Sequence, residues 1–598
     1  MRSNSLGKYI SLYGLIGLLG IVLVYPIWLT VRGGFTSVDG GYTFYHVLDV
    51  FRDENLRWGL FNALLIATAT TILSILISMP LAMVGARHEF PGKALFGALV
   101  LIPLILPPFV GAIGVRHLLG RSGSLNALLT DLGLIDAPID VLGDGGLFGV
   151  IIVEALHLYP IIYLNLLAAL SNLDPALDEA GRDAGASAWT RFRRITLPLV
   201  RPGLFAGCTI TFIWSFTELG TPLMFEFRQV TPVQIFDGLK QMETSAEPFA
   251  LTVVMLSTAT LFYVLGRVLP GVKGVAASAK ASRADSSARL GPVAGILAAL
   301  LFGTVIGIAS MPHVGVILAS LSVEGQWYQS ILPRAFTLHN YAEALTHPLA
   351  LGSIRISLFL ASIAVLLDLV VGVIAARVIV RTTLRGRGLL DALCMLPLAV
   401  PGLVMAFGYV AMTLEWPFQG AMPGWIAAVL GPILPASTLA SLDDGPLRWA
   451  ADILGANPNP IPLLIVAYAV RRLPYVVRST VAGLEQTPVD LEEAARGLGA
   501  GRLTVLRRVV LPLVAANLVA GALLAFSFSM LEVSDSLILA QREADYPITK
   551  AIYVLFERLG DGPGIASAMG TWAMLLLACT LAGASLLLGK KLGAVFRA

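Results

Sequence analysis

Charge is scarce in this chain. Only 13 % of its 598 residues are Asp, Glu, Lys or Arg, about half the share of an ordinary soluble domain. So little charge cannot solvate a water-exposed surface for a chain of this length. Cysteine is scarcer still. Cys208, Cys394 and Cys579 lie far apart inside apolar runs, which excludes a disulfide framework and any cysteine-based metal spacing. No G-x-x-x-x-G-K-[ST] phosphate loop occurs, so nucleotide hydrolysis by the chain itself is not expected. Hydrophobic residues, by contrast, make up 56 %, and the mean hydropathy is +0.80. That much apolar surface needs a bilayer.

A spanning helix takes about 20 mostly apolar residues. Six such runs fill the first half: 9–31, 58–86, 94–119, 147–170, 198–225 and 249–269. Six more follow: 291–321, 352–380, 389–414, 461–484, 512–540 and 565–588. The first run is longer than a secretory h-region and holds Tyr25, Pro26 and Trp28, so a retained helix is expected rather than a cleaved signal. The run 425–440 is too short, contains Pro432 and Pro435, and reads as a re-entrant or interfacial piece. Basic residues cluster in alternate loops, among them Arg87 and Lys93, Arg191 to Arg194, Arg381 to Arg387, and Arg502 to Arg508. The positive-inside rule places those loops, and both termini, in the cytoplasm.

The halves repeat. Glu179-Ala180-Gly181, Gly185 and Ile195-Thr196-Leu197-Pro198 recur as Glu493-Ala494-Ala495, Gly499 and Val509-Val510-Leu511-Pro512, at a constant offset of 314 (179 to 493, 198 to 512). The same register pairs Pro160 with Pro474, Gly207 with Gly521 and Glu218 with Glu532. Upstream the offset is 294 (103 to 397, 107 to 401), so the second half carries an insertion between Glu415 and Pro460. The expected fold is all-α and polytopic, with about 12 transmembrane helices in two homologous six-helix halves in parallel orientation. The first half covers 1–270, a cytoplasmic linker 271–290 and the second half 291–598. Parallel repeats also occur in secondary transporters, so the duplication alone leaves the energy source open.

Each repeated loop puts small residues after a Glu, then a Gly suited to a sharp turn, then basic residues, then a Pro suited to the first turn of the next helix. A helix–turn–helix elbow is expected. At these residues the sequence resembles the EAA coupling loop of the permease subunits of ABC importers, departing from it at Gly181 and Val509. The resemblance covers most of the chain. It implies that Glu179, Ala180, Gly185 and Pro198, with Glu493, Ala494, Ala495, Gly499 and Pro512, form two contacts for a separate ATPase subunit in two copies. That subunit would carry the ATP and Mg; no cofactor is expected in this chain. It also implies an extracytoplasmic solute-binding protein and a bacterial inner-membrane location. The fused double permease and the run Leu106 to Gly114 are most similar to ferric-iron permeases, with thiamine, polyamine and aminophosphonate permeases as alternatives. A secondary transporter is the alternative of another class.

Ionisable groups within spans are costly and usually face a cavity or a partner. Glu218 and Glu532 occupy matched positions. They either line a translocation path or serve structurally, capping a broken helix or pairing with an arginine. Arg471, which matches His157, and Arg472 are candidates for the same path, as are Glu154 and Asp368. No metal site is expected.

Overall fold

The computed structural model describes residues 3–37, 41–143, 146–242, 244–268, 288–443, 445–455 and 458–588. Most of the expected linker, 271–290, lies outside them. Among the described residues the chain is helical, apart from a two-residue parallel ladder pairing His88–Glu89 with Ala288–Arg289. Among the described residues nine helices are long and apolar enough to cross a membrane, and two further helix pairs are bent by 95° and 105°. The twelfth expected span is the Ile461–Glu485 helix. It has the length of its repeat partner Leu147–Ser171 but carries Arg471, Arg472 and Arg478.

The repeat register holds element by element. At the offset of 314, Pro175–Asp183 recurs as Val489–Gly497, Ala188–Arg191 as Arg502–Val505, and Leu197–Phe216 as Leu511–Met530. At 294, Glu54–Arg87 recurs as Pro348–Arg381 and Pro108–Leu119 as Gly402–Thr413. The drop from 314 to 294 means 20 more residues between Thr413 and Ile461 than in the first half. They include two short helices, Gly424–Leu430 and Ala436–Asp443, the second held to the stretch before the first by Trp416 Nε1 donating to the Leu442 carbonyl (2.8 Å) and the Met422 amide to Asp443 Oδ1 (2.9 Å).

Two compact units form, and they do not follow the sequence halves. Among the described residues, one comprises those within 3–53, 234–256 and 341–588; the other comprises those within 54–233 and 257–340. The first helix of each sequence half therefore belongs to the unit built mainly from the other. In the first of these units Tyr409 donates to the Val22 carbonyl (3.0 Å). In the second, Gly114 and Gly315 pack so closely that a Cβ on Gly114 would lie 2.2 Å from the Pro312 carbonyl oxygen.

Inside each unit, small residues let helices approach, as membrane packing requires. Ser78 Oγ donates to the Tyr159 carbonyl (2.7 Å). A Cβ on Gly372 would sit 2.8 Å from Val476 Cγ1. The third span of each half breaks at its prolines. Leu106 and Val400 are extended, because a following proline disfavours the helical region. Irregular backbone at membrane depth must find partners within the protein. In the first half, the Pro103 carbonyl meets His157 Nδ1 (2.8 Å), the Ile102 carbonyl His313 Nε2 (3.2 Å), and the Val100 carbonyl accepts from Tyr159 Oη (3.1 Å).

Candidate functional sites: paired elbows and a buried ion cluster

The two elbows share one geometry. Pro175–Asp183 and Val489–Gly497 each end in a left-handed glycine, Gly185 at φ +78° and Gly499 at φ +84°. In the first, the Gly185 amide donates to the Arg182 carbonyl (2.9 Å) and Ala186 to Gly181 (3.0 Å). In the second, Gly499 donates to Arg496 (2.9 Å) and Ala500 to Ala495 (3.0 Å). These bonds define the Schellman closure of a helix. Glu179, Ala180, Glu493, Ala494, Gly185 and Gly499 are exposed, Ala495 and Pro198 half-buried, and Pro512 exposed. Large apolar side chains also stand out into solvent from both elbows: Leu177 and Trp189 on one, Leu491, Leu498 and Leu503 on the other. A solvated loop gains nothing from such residues, whereas an interaction surface does.

Behind each elbow a five-residue π-turn leads into the next span. Leu197 donates to the Phe192 carbonyl and Leu511 to that of Leu506. Pro198 and Pro512 follow directly. A proline removes one helical donor and clashes with the carbonyl four residues back; widening the turn by one residue relieves both. The first span repeats the device at Gly20–Val24, ahead of Pro26.

The residue that anchors the second elbow is Glu492, next to the exposed Glu493. Glu492 is 1 % exposed and accepts from Arg377 (3.3 Å), Arg381 (2.9 Å) and Arg496 (3.1 Å). Arg381 also donates to the carbonyls of Leu484 (3.0 Å) and Thr487 (2.7 Å), closing the base of the elbow. The first copy has Asp178 there, paired with Arg191 (3.1 Å), while Arg87, the match of Arg381, donates to Thr196 Oγ1 (2.8 Å). An acid precedes the motif glutamate in both copies, but its burial is decided by arginines distant in sequence.

The membrane candidates separate. Glu532 is buried and paired with Arg471 (3.2 Å) and Arg472. Arg472 also donates to the Phe528 carbonyl (3.0 Å), and Arg471 lies across Gly402, where no side chain would fit beneath it. The Glu532 carbonyl accepts from Ser536 Oγ (2.5 Å) and Thr549 Oγ1 (2.6 Å). Asp535 is buried nearby with neither carboxylate oxygen bonded among the described residues. At the matched positions of the first half, His157 Nδ1 meets the Pro103 carbonyl and Glu218 Oε1 receives the Thr221 amide at 3.4 Å. Glu154 is bonded to Ser215 Oγ instead. Asp368 is buried, with one oxygen unbonded among the described residues.

Two stretches, residues 74–270 and 368–588, match the binding-protein-dependent transport system inner membrane component family. The chain belongs to that family. It is a multi-pass permease subunit of an ABC importer, with the family module present twice. The permease is 28 % identical over 537 residues to a probable ABC transporter permease protein of Sinorhizobium fredii, covering 87 % of this chain and 86 % of the relative. It is 26 % identical to the ferric transport system permease protein FbpB of Actinobacillus pleuropneumoniae, covering 86 % and 68 %. The spermidine/putrescine transport system permease protein PotB of Haemophilus influenzae is 32 % identical over 193 residues, 31 % of the permease and 67 % of the relative. Both matched stretches contain an elbow; the first helix of each half lies outside them.

Proposed function

We propose that the permease conducts ferric iron, handed over by an extracytoplasmic binding protein, and that each elbow docks one copy of a separate ATPase subunit that holds ATP and Mg. The observation that carries the docking is the pair of superimposable elbows, each exposing a glutamate, small residues and unpartnered leucines or a tryptophan. Identical geometry at two sites suits two identical partners. Glu179 and Glu493 are the charged contacts; Gly185 and Gly499 fix the turn that presents them. The elbows, with their arginine-rich flanks, face the cytoplasm of an inner membrane, as do the termini.

Iron is favoured over polyamine by extent. The ferric relative aligns with 86 % of the permease, both modules together, whereas the polyamine relative aligns with 31 %. A cationic cargo suits an acidic path residue, and Glu218 is proposed for that role.

The test is affinity purification from native membranes with every co-purifying chain identified by mass spectrometry. An ATPase at two per permease, and uptake of radioactive ferric ion into vesicles charged with ATP and supplied with the binding protein, are the expected results. Purification of the permease alone with uptake intact in ATP-free vesicles would sink the docking. Uptake of putrescine but not iron would replace the cargo.

A further inference from the structure

Apart from the exposed Arg502, whose match in the first elbow is Ala188, the arginines of the elbows fall into two sets. Arg182, Arg191 and Arg496 face the elbows' own acids, Asp178 and Glu492. Arg193, Arg194, Arg507 and Arg508 do not. All four are exposed, and none has an ion pair or hydrogen bond among the described residues. They are two adjacent pairs at the repeat offset of 314 (193 to 507), each inside a π-turn whose other side is buried at Thr196 or Val510.

Their depth singles out a partner. Leu197-Pro198 and Leu511-Pro512 follow at once, and each pair stands at the foot of a membrane span. On the second span, Leu513 and Val519 are exposed apolar residues of the kind that face lipid. Leu513 lies five residues beyond Arg508, about 7 Å along a helix. That is headgroup distance from the apolar boundary. The exposed Leu177, Trp189, Leu498 and Leu503 belong to the elbow tips instead. Trp189 and Leu503 stand four residues before Arg193 and Arg507, so the arginine pairs lie one helical turn, about 6 Å, nearer the span than the proposed protein contact.

We infer that the two arginine pairs bind anionic phospholipid headgroups of the elbow-side leaflet, one site per elbow, and fix the height at which each elbow stands. Guanidinium groups are weakly hydrated and match phosphate geometry, and juxtamembrane basic residues are drawn to anionic leaflets. The π-turn adds a reason for a fixed anchor. A helix start widened by proline has lost one backbone bond, so its orientation rests more heavily on side chains.

The experiment is native mass spectrometry of the full-length permease in detergent, titrated with phosphatidylglycerol or phosphatidylcholine. Wild type should bind phosphatidylglycerol preferentially, at two strong sites, with no displacement by inorganic phosphate. The R193Q/R194Q variant should lose one site and R507Q/R508Q the other, each weakened about thirtyfold, the effect of two headgroup-level charges. The corresponding lysine pairs should retain most of the binding. Unchanged phosphatidylglycerol binding in both glutamine variants overturns the assignment, as does displacement by phosphate alone. Glutamine variants that bind lipid normally but fail to hold the ATPase in lipid-free detergent would show that the arginines face the protein partner, and would also overturn it. Because lipid binding is read on the permease alone, failure of the docking proposal leaves this test standing.

Discussion

A Cβ placed on Gly181 would lie 2.8 Å from Cδ1 of Ile195. At the matched positions of the second elbow stand Ala495 and Val509. Valine lacks the atom that would come nearest a Cβ on Gly181, and alanine supplies the methyl that glycine leaves out. The two departures from the family motif are thus one exchange of volume: each elbow has a methyl at that place, contributed from opposite sides.

A double-mutant cycle reads this exchange directly. Gly181→Ala alone should be nearly neutral, because helix propensity favours alanine by about 1 kcal/mol while crowding against Ile195 opposes it. In an Ile195→Val background the same change should stabilise the first elbow. The interaction term should be about 0.5–1 kcal/mol, measured by hydrogen exchange of the elbow amides.

Glu492 and Glu493 should separate stability from partner binding. Glu492→Gln leaves Arg377 and Arg381 without their shared carboxylate, and breaking such a buried network costs about 3–5 kcal/mol. Glu493→Gln should change thermal stability by less than about 0.5 kcal/mol and lower retention of the ATPase in co-purification. Equal loss of stability in both variants would contradict the division.

Gly499→Ala forces a Cβ into a left-handed residue, at a cost of about 1–2 kcal/mol. Gly499→Asn should cost less, because asparagine visits that region more readily. Faster hydrogen exchange confined to 489–505 would be the signature, with the spans unaffected.

The Glu532 cluster predicts non-additivity. Glu532→Gln should destabilise by about 3 kcal/mol, since two half-buried guanidinium groups lose the buried carboxylate that pairs them. Replacing Glu532, Arg471 and Arg472 together by leucine or methionine should recover most of the loss in a thermal unfolding assay. If that triple variant still imports, the cluster serves the fold. Stability restored without uptake would place it on the conduction path.

Lys550 gives a pH signature outside the spanning helices. Its ammonium donates to the Leu537 carbonyl (2.8 Å) and lies beside the rings of Phe236 and Tyr546. Burial lowers its pKa to about 8. The unfolded chain therefore holds this proton more tightly than the native one. Stability at this residue is lowest below about pH 8 and rises as pH increases towards the free lysine value of about 10.4. Lys550→Met removes that dependence, so the variant's stability relative to wild type should fall by roughly 3 kcal/mol between neutral pH and the free lysine value. A flat difference would mean that Lys550 titrates normally.

The duplicated register was legible because proline, glycine and glutamate each force a local geometry. Pro107 and Pro401 mark matched breaks, and Gly185 and Gly499 matched turns. What stayed hidden depends on contacts between distant segments. Nothing local distinguishes buried Glu492 from exposed Glu493; Arg377 and Arg381, more than a hundred residues away, decide it. His157 read as a path residue until the broken backbone at Pro103 gave it a carbonyl to meet. The regrouping of the first helices into the opposite units carries no pattern in their own apolar sequence. The π-turns could have been anticipated, since a proline two residues beyond each is visible in the sequence.

The repeat register matches Arg471, Arg472 and Glu532 with His157, Leu158 and Glu218. A channel assembled from two copies of one gene product must write every side chain twice, so a buried arginine pair on one side would require its twin on the other. Joining the copies in a single polypeptide removes that obligation. Each half is then free to drift, and a duplicated ancestor acquires two unlike halves: at these positions one carries an acid with two arginines, the other an acid with a histidine and a leucine, a distinction no homodimer can encode.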